Sequence, residues 1–494
     1  MDLGRSCGIL LHPTSLPGPY GVGDLGPEAF RFVDWMHSAG ARLWQVLPLG
    51  PVGYGESPYQ LFSAFAGNPL LISPDLLVKR GYLWPADVAN PPFQHGAVEF
   101  EKVLPWKRAL LQKAFAGFQT RATPADRDAL AAFVAESHCW LPAYAQFMAL
   151  KEAHGGTVWS EWEPGAVASE EGIAYHRFVQ FEFFREWNAL RDYCASRGIR
   201  IMGDIPIYVA HDSADVWSNR DLFQLDAHGN PTAVAGVPPD YFSATGQLWG
   251  NPVYRWDVEA KRGFPWWIDR MREALRMFDV VRMDHFRGFE AYWAVPAHEK
   301  TAQHGRWVQG PGAALFRALE AKLGALPLVA ENLGVITAEV EAVRNEFHFP
   351  GMAILQFAFG KDDQAQSFRP HNYVRNLVAY TGTHDNDTVA GWWKSEGKDS
   401  TRTAAQIEQE KAFARAYLNT DGRDMPWTLI RTLMMSVAEA ALFPAQDVLR
   451  LGSEARMNTP SVPSGNWRWR LQPGALTGEL AASLKELAKL YGRV

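Results

Sequence analysis

Arg282 and Asp284 stand two residues apart in FDVVRMDHFRGF (278–289), where an apolar, valine-rich run ends in charge. Such a run reads as a short buried strand, and on a strand residues i and i+2 leave the same face. A guanidinium beside a carboxylate at the C-terminal end of a strand keeps that carboxylate ionised, as an attacking group requires. An isolated R-x-D can equally be an ion pair that ties down a strand end. Two further acidic strand ends favour chemistry: LPLVAENLG (326–334) stops at Glu331, and LVAYTGTHDNDT (377–388) stops at His384 and Asp385. The intervals between Asp284, Glu331 and Asp385 fit one and two strand-helix repeats, with GMAILQF (351–357) available as the strand between. In a barrel of parallel strands the C-terminal strand ends gather at one mouth, so the three carboxylates converge there with an arginine and a histidine. That is equipment for glycoside chemistry.

The elements that must position these residues can be counted along the chain. Strands are predicted near residues 8, 44, 202, 281, 329, 354, 379 and 448, with helical segments between most of them. The fold class that follows is α/β, a single (β/α)8 TIM barrel over 1–494, with mostly helical and irregular insertions after the second and third strands. The first insertion, 51–174, begins with a Gly/Pro/aromatic stretch containing Tyr54 and Tyr59 and continues as helices, including 106–118 and 125–135. A helix over 175–197 carries Phe178, Phe181, Phe184 and Trp187, which read as core. The strand IRIMGDIPIYV (199–209) contains Asp204, an acid deep in an apolar run that needs a partner, and Arg282 is the candidate. The second insertion, 210–265, puts Tyr241, Phe242, Trp249 and Trp256 on irregular chain, where aromatics are better binding candidates than on a helix face. Helical patterns over 404–417 and 427–442 lead to QDVLRL (446–451) as the last strand. Asn458 then lies in a loop, and 474–491 closes as an amphipathic helix.

Composition bounds the function. With 494 residues, 47% hydrophobic and 21% charged, the chain is an ordinary globular protein in composition. A net charge of -6 without blocks of like charge argues against nucleic-acid partners. The three cysteines, Cys7, Cys139 and Cys194, offer neither a disulfide framework nor a zinc spacing, which suits a reducing cytoplasm. The sequence opens without a signal pattern and holds no apolar run long enough for a bilayer, so neither export nor membrane attachment is expected. The 20 tryptophans stand out. Most read as packing, a few as flat surfaces for the C–H face of a sugar.

Two motifs invite other readings. Gly21, Gly23 and Gly26 form a literal G-x-G-x-x-G, but three prolines intervene between the preceding strand and Gly21, and the next strand ends without an acid. A nicotinamide site is therefore not expected, and the glycines read as a tight loop at the barrel mouth. HDNDT departs from the calcium-loop template at Val389 and Ala390, so no metal is assigned to it. The chemistry needs no cofactor.

Taken together, RMDHFRGF, AENLG, GTHDNDT, HPTSLPGPYGVGDLG, SPYQ and the loop 236–256 resemble the 4-alpha-glucanotransferases, or amylomaltases, of the alpha-amylase clan, from about residue 7 to about residue 470. The resemblance implies a barrel without a C-terminal β-sandwich domain. It implies cleavage of an alpha-1,4-glucan or malto-oligosaccharide and transfer of the glucanosyl unit to the 4-hydroxyl of another glucan or of glucose. Carried over residue by residue, Asp284 is the nucleophile, Glu331 the acid and then base, and Asp385 a stabiliser of the oxocarbenium-like transition state. Tyr59, Asp204, Trp249, Arg282, His384 and Asn458 are the substrate-binding set. An alpha-1,4-glucan hydrolase shares the covalent intermediate and is the near alternative, and a non-catalytic glycan-binding barrel is the distant one.

Overall fold

The computed structural model describes residues 3–239, 243–361, 363–397 and 403–494. Its strands are β1 (Ser6–Leu10), β2 (Leu43–Gln45), β3 (Arg200–Pro206), β4 (Ala233–Val237), β5 (Gln247–Pro252), β6 (Val280–Asp284), β7 (Ala291–Pro296), β8 (Arg306–Gln309), β9 (Leu328–Ala330), β10 (Gly351–Ile354), β11 (Leu377–Tyr380) and β12 (Ala440–Pro444). Eight of them form one parallel sheet in the order β10-β11-β12-β1-β2-β3-β6-β9. Chain order thus becomes order around a ring, the topology of a (β/α)8 barrel. The ring is drawn shut between β9 and β10, where Ala330 N–H donates to Pro350 C=O at 2.9 Å. Asn332 Oδ1 takes the Met352 N–H at 2.8 Å, in place of a ladder bond.

Alternation along the strands divides the core. Leu43, Met202, Val280, Val329, Met352, Val378, Tyr380, Ala440 and Leu442 form an inner cluster, whereas Trp44, Ile201, Val281, Met283, Leu328, Ala379, Ala441 and Phe443 join the outer core with the helices. Because Val280 points inward, so do Arg282 and Asp284, two and four residues on. Gly8 is required where β1 crosses the interior, since a Cβ there would sit 2.2 Å from Leu43 C=O.

The helices follow from their spacing and ends. Pro27–Ser38 starts with proline in its first turn, and buries Ala29, Phe32, Val33, Trp35 and Met36 on one face. Between β2 and β3 lie helices Phe100–Arg121, Pro124–Glu136, Leu141–Ala153 and Glu170–Ser196. On the last, Phe178, Phe181 and Trp187 are buried as core and Phe184 is half-buried.

Two expectations need correction. The final barrel strand is Ala440–Pro444, not 446–451: a helix, Ala445–Val448, begins where the strand was predicted, and the helix expected over 427–442 ends at Met435. Second, the region after β3 is not merely irregular. β5-β4-β7-β8 make a four-stranded antiparallel sheet that takes strands from both sides of β6. Trp249 therefore stands on a strand, and Trp256 opens a helix and is buried against Tyr254 and Trp267. Tyr241 and Phe242 lie outside the described residues.

Candidate active site

β3 and β6 lie side by side with Asp204 opposite Arg282, so both inward side chains meet at the upper level of the barrel. Arg282 Nη1 donates to Asp204 Oδ1 and Oδ2 at 2.8 and 2.7 Å, and lies 2.9 Å from Asp284 Oδ1. Burial works against the guanidinium's charge, but Asp204 and Asp284 beside it hold Arg282 protonated. Burial likewise pushes the Asp204 carboxyl up, opposed by Arg282. The Arg282 and Asp204 side chains are almost wholly buried, whereas Asp284 keeps 27% of its side-chain surface exposed. One arginine thus anchors a buried carboxylate and aims an accessible one.

β9 is the neighbour of β6 on its other side, and the register that pairs Met283 with Ala330 brings Glu331 level with Asp284. His285, at φ +51, turns the chain sharply after Asp284, and its N–H donates to Glu331 Oε2 at 2.7 Å. Leu333 N–H donates to Oε1 at 3.0 Å. Burial, reinforced by Asp284 and opposed by Arg282 and these two N–H groups, raises the Glu331 carboxyl to about 7. Asn332 plays no part in this, since its amide turns away to Glu341 and Met352.

Asp385 sits in the loop after β11 with its side chain 48% exposed. His384 Nε2 lies 3.3 Å from its Oδ2, and Asn458 Nδ2 donates to its Oδ1 at 2.6 Å. Burial opposes the outcome, but His384 and Asn458 together hold the Asp385 carboxyl well below the usual range. The reciprocal effect raises His384: burial disfavours its charge and Asp385 more than compensates. Tyr59 closes the circuit. Its hydroxyl donates to Asp204 Oδ2 at 2.8 Å, and its ring stacks on His384 with centroids 5.1 Å apart. A continuous path, Arg282–Asp204–Tyr59–His384–Asp385–Asn458, therefore joins both sides of the mouth.

Trp249 meets His285 edge-to-face at 4.8 Å, which brings it beside the turn after Asp284. The nine residues named as catalytic or substrate-binding by resemblance are thus linked to one cluster, whereas Trp256 is not among them. Others were missed. Arg456 Nη2 donates to Asp385 C=O at 2.7 Å and its Nε to Asn458 C=O at 2.7 Å, tying the two loops together. Asp447 accepts from Thr381 Oγ1 and Val389 N–H and braces the Asp385 loop from below. Arg456 could have been noticed beside Asn458. Asp447 was hidden inside the misplaced strand. The glycine motif holds a loop: a Cβ on Gly23 would sit 2.1 Å from Pro13 C=O. Among the described residues, no group of three or more His, Cys, Asp or Glu side chains is placed to hold a metal ion, and no helix is long and apolar enough to cross a membrane.

Asp284 sits against the Arg282 guanidinium, Glu331 is raised to about 7, and Asp385 is held as a negative charge.

Known proteins are similar to the chain over nearly its whole length. The family model Glyco_hydro_77, described as 4-alpha-glucanotransferase, matches residues 11–477. A 4-alpha-glucanotransferase of Thermus thermophilus is 52% identical over 100% of both chains, and one of Synechocystis sp. is 48% identical over 99% of this chain and 98% of its own. The amylomaltase of Streptococcus agalactiae, solved in complex with acarbose, superposes with a TM-score of 0.93 at 38% identity, over 99% of each chain.

Proposed function

The chain belongs to the 4-alpha-glucanotransferase family, and on that footing we propose which of its residues perform the transfer of an alpha-1,4-glucan segment. Asp284 attacks the anomeric carbon while Glu331 protonates the departing glycosidic oxygen, giving a covalent glucanosyl-enzyme and a free leaving chain. Glu331, now a carboxylate, takes the proton from the 4-hydroxyl of an incoming glucan or glucose, which displaces Asp284 and restores the acid. Asp385 offsets the positive charge that develops on the sugar in both steps. A group that must act as acid and then as base works best with its pKa near the operating pH, and Glu331 at about 7 meets that demand.

Tyr59, Asp204, Arg282 and His384 hold the reacting sugar and the acids, and Trp249 and Asn458 hold the glucan beyond it. The observation that carries this reading is that Arg282 contacts Asp284 while the residue after Asp284 bonds Glu331. The two carboxyls are thereby locked together, one against a guanidinium and the other raised by burial to about 7. Side chains supply every step, so no cofactor is required. Three free cysteines, two of them buried, support a cytoplasmic setting.

Incubation with maltotriose tests the proposal. Glucose together with maltotetraose and longer chains is expected. A steady rise in reducing ends without longer products would replace transfer by hydrolysis.

A further inference from the structure

Trp307 stands on the edge strand β8 with 43% of its surface exposed, among neighbours that are mostly exposed. The Arg287 guanidinium lies 3.9 Å from the centre of its ring. Trp293, its cross-strand partner on β7, meets it near edge-on, with centroids 5.3 Å apart and planes at 67°. Held from two sides, the indole has one orientation and loses little side-chain entropy when something stacks on it.

What holds Trp307 is itself part of the catalytic framework. Arg287 is buried and lies in the turn Phe286–Phe289 that follows Asp284. Its Nη1 donates to the carbonyl of Val335, an exposed residue in the loop that follows Glu331. The Trp307 stack is thus built on the two segments that carry the nucleophile and the acid. On the acid's side of the reacting sugar the leaving chain departs and the acceptor arrives, because the same carboxyl protonates one oxygen and deprotonates the other.

We propose that Trp307, clamped by Arg287 and Trp293, is an outlying platform for the acceptor glucan, stacking on a pyranose ring several units beyond the reacting 4-hydroxyl. The inference rests on the roles given to Asp284 and Glu331 above. An indole face suits the C–H face of a sugar, and Trp307 is joined to the turn and loop that carry those two groups through the intervening Arg287 side chain, so it serves long acceptors and not glucose. Trp84 supplies an internal control. It is 60% exposed and also covered by an arginine, Arg121, at 4.8 Å. Arg121, however, bonds to the carbonyls of Gly81 and Tyr82 in the helical insertion.

The test fixes the donor as maltotriosyl fluoride and varies the acceptor, glucose or maltopentaose, in the wild type and in Trp307→Ala, Trp307→Phe and Trp84→Ala. Trp307→Ala should raise the KM for maltopentaose roughly five- to tenfold, with kcat and the KM for glucose unchanged. Trp307→Phe should recover most of the loss, and Trp84→Ala should match the wild type. An unchanged maltopentaose KM in Trp307→Ala would overturn the platform, and so would an equal rise for both acceptors or a fall in kcat shared by Trp307→Phe. Transfer to glucose by the wild type reports separately on the proposed chemistry, so the two readings fail independently.

Discussion

The backbone N–H of His285 donates to Oε2 of Glu331 at 2.7 Å. The residue that follows Asp284 is therefore bonded to the carboxyl proposed as its partner in catalysis, and a movement of one strand end carries the other with it. The left-handed turn at His285, unusual for a non-glycine residue, makes that bond possible.

The first consequence is a pH profile. As the proposed acid, Glu331 has to be protonated to expel the leaving chain, and burial places it at about 7. Asp385 is held so low that it stays charged through the working range. The value of kcat/KM for maltotriose should therefore fall about tenfold per pH unit above roughly pH 7, and initial rates between pH 5 and 9 measure it. With a glycosyl fluoride donor, whose leaving group needs little protonation, the glycosylation step should lose this alkaline limb.

Stability should carry the opposite mark of the same group. A carboxyl raised from 4.5 to about 7 on folding binds more protons in the native state than in the unfolded one. Its contribution is neutral below about pH 4.5, becomes a cost that builds between pH 4.5 and 7, and levels off above that at on the order of 3 kcal/mol. Glu331→Gln should therefore be more stable than the wild type at pH 8 and equal to it near pH 4. Denaturant melts at the two pH values decide this, while activity on maltotriose should drop by about 10²–10⁴.

Arg282 ties Asp204 to Asp284 from an almost wholly buried position. Replacing it by alanine leaves the Asp204 carboxylate without its counter-charge and should cost about 3–5 kcal/mol in unfolding free energy. Arg282→Lys keeps a charge but not the planar fork, so it should recover stability better than kcat. Equal recovery of both would mean that charge alone matters.

Much of this site was legible because strand periodicity is strict. R-x-D fixed a shared face, and Asp204 in an apolar run demanded a cation, which β3–β6 pairing supplies. The last strand was not legible: AALFP is wholly buried and rich in alanine, so its pattern merges with the preceding helix. The antiparallel sheet escaped because its strands are short and come from both sides of β6, a pairing that no local pattern encodes. Arg456 and Asp447 act through loop contacts made only once the barrel has closed. Trp249 was expected on irregular chain, but it stands on β5.

The central claim is that Asp284 forms the bond to the sugar. Glu331→Gln incubated with maltotriosyl fluoride should accumulate the glucanosyl-enzyme, because the good leaving group needs no acid and the missing base slows the second step. Peptide mass spectrometry of the trapped protein should find the added mass on the peptide containing Asp284. The same mass on a peptide containing Asp385, or on any other, would contradict the account.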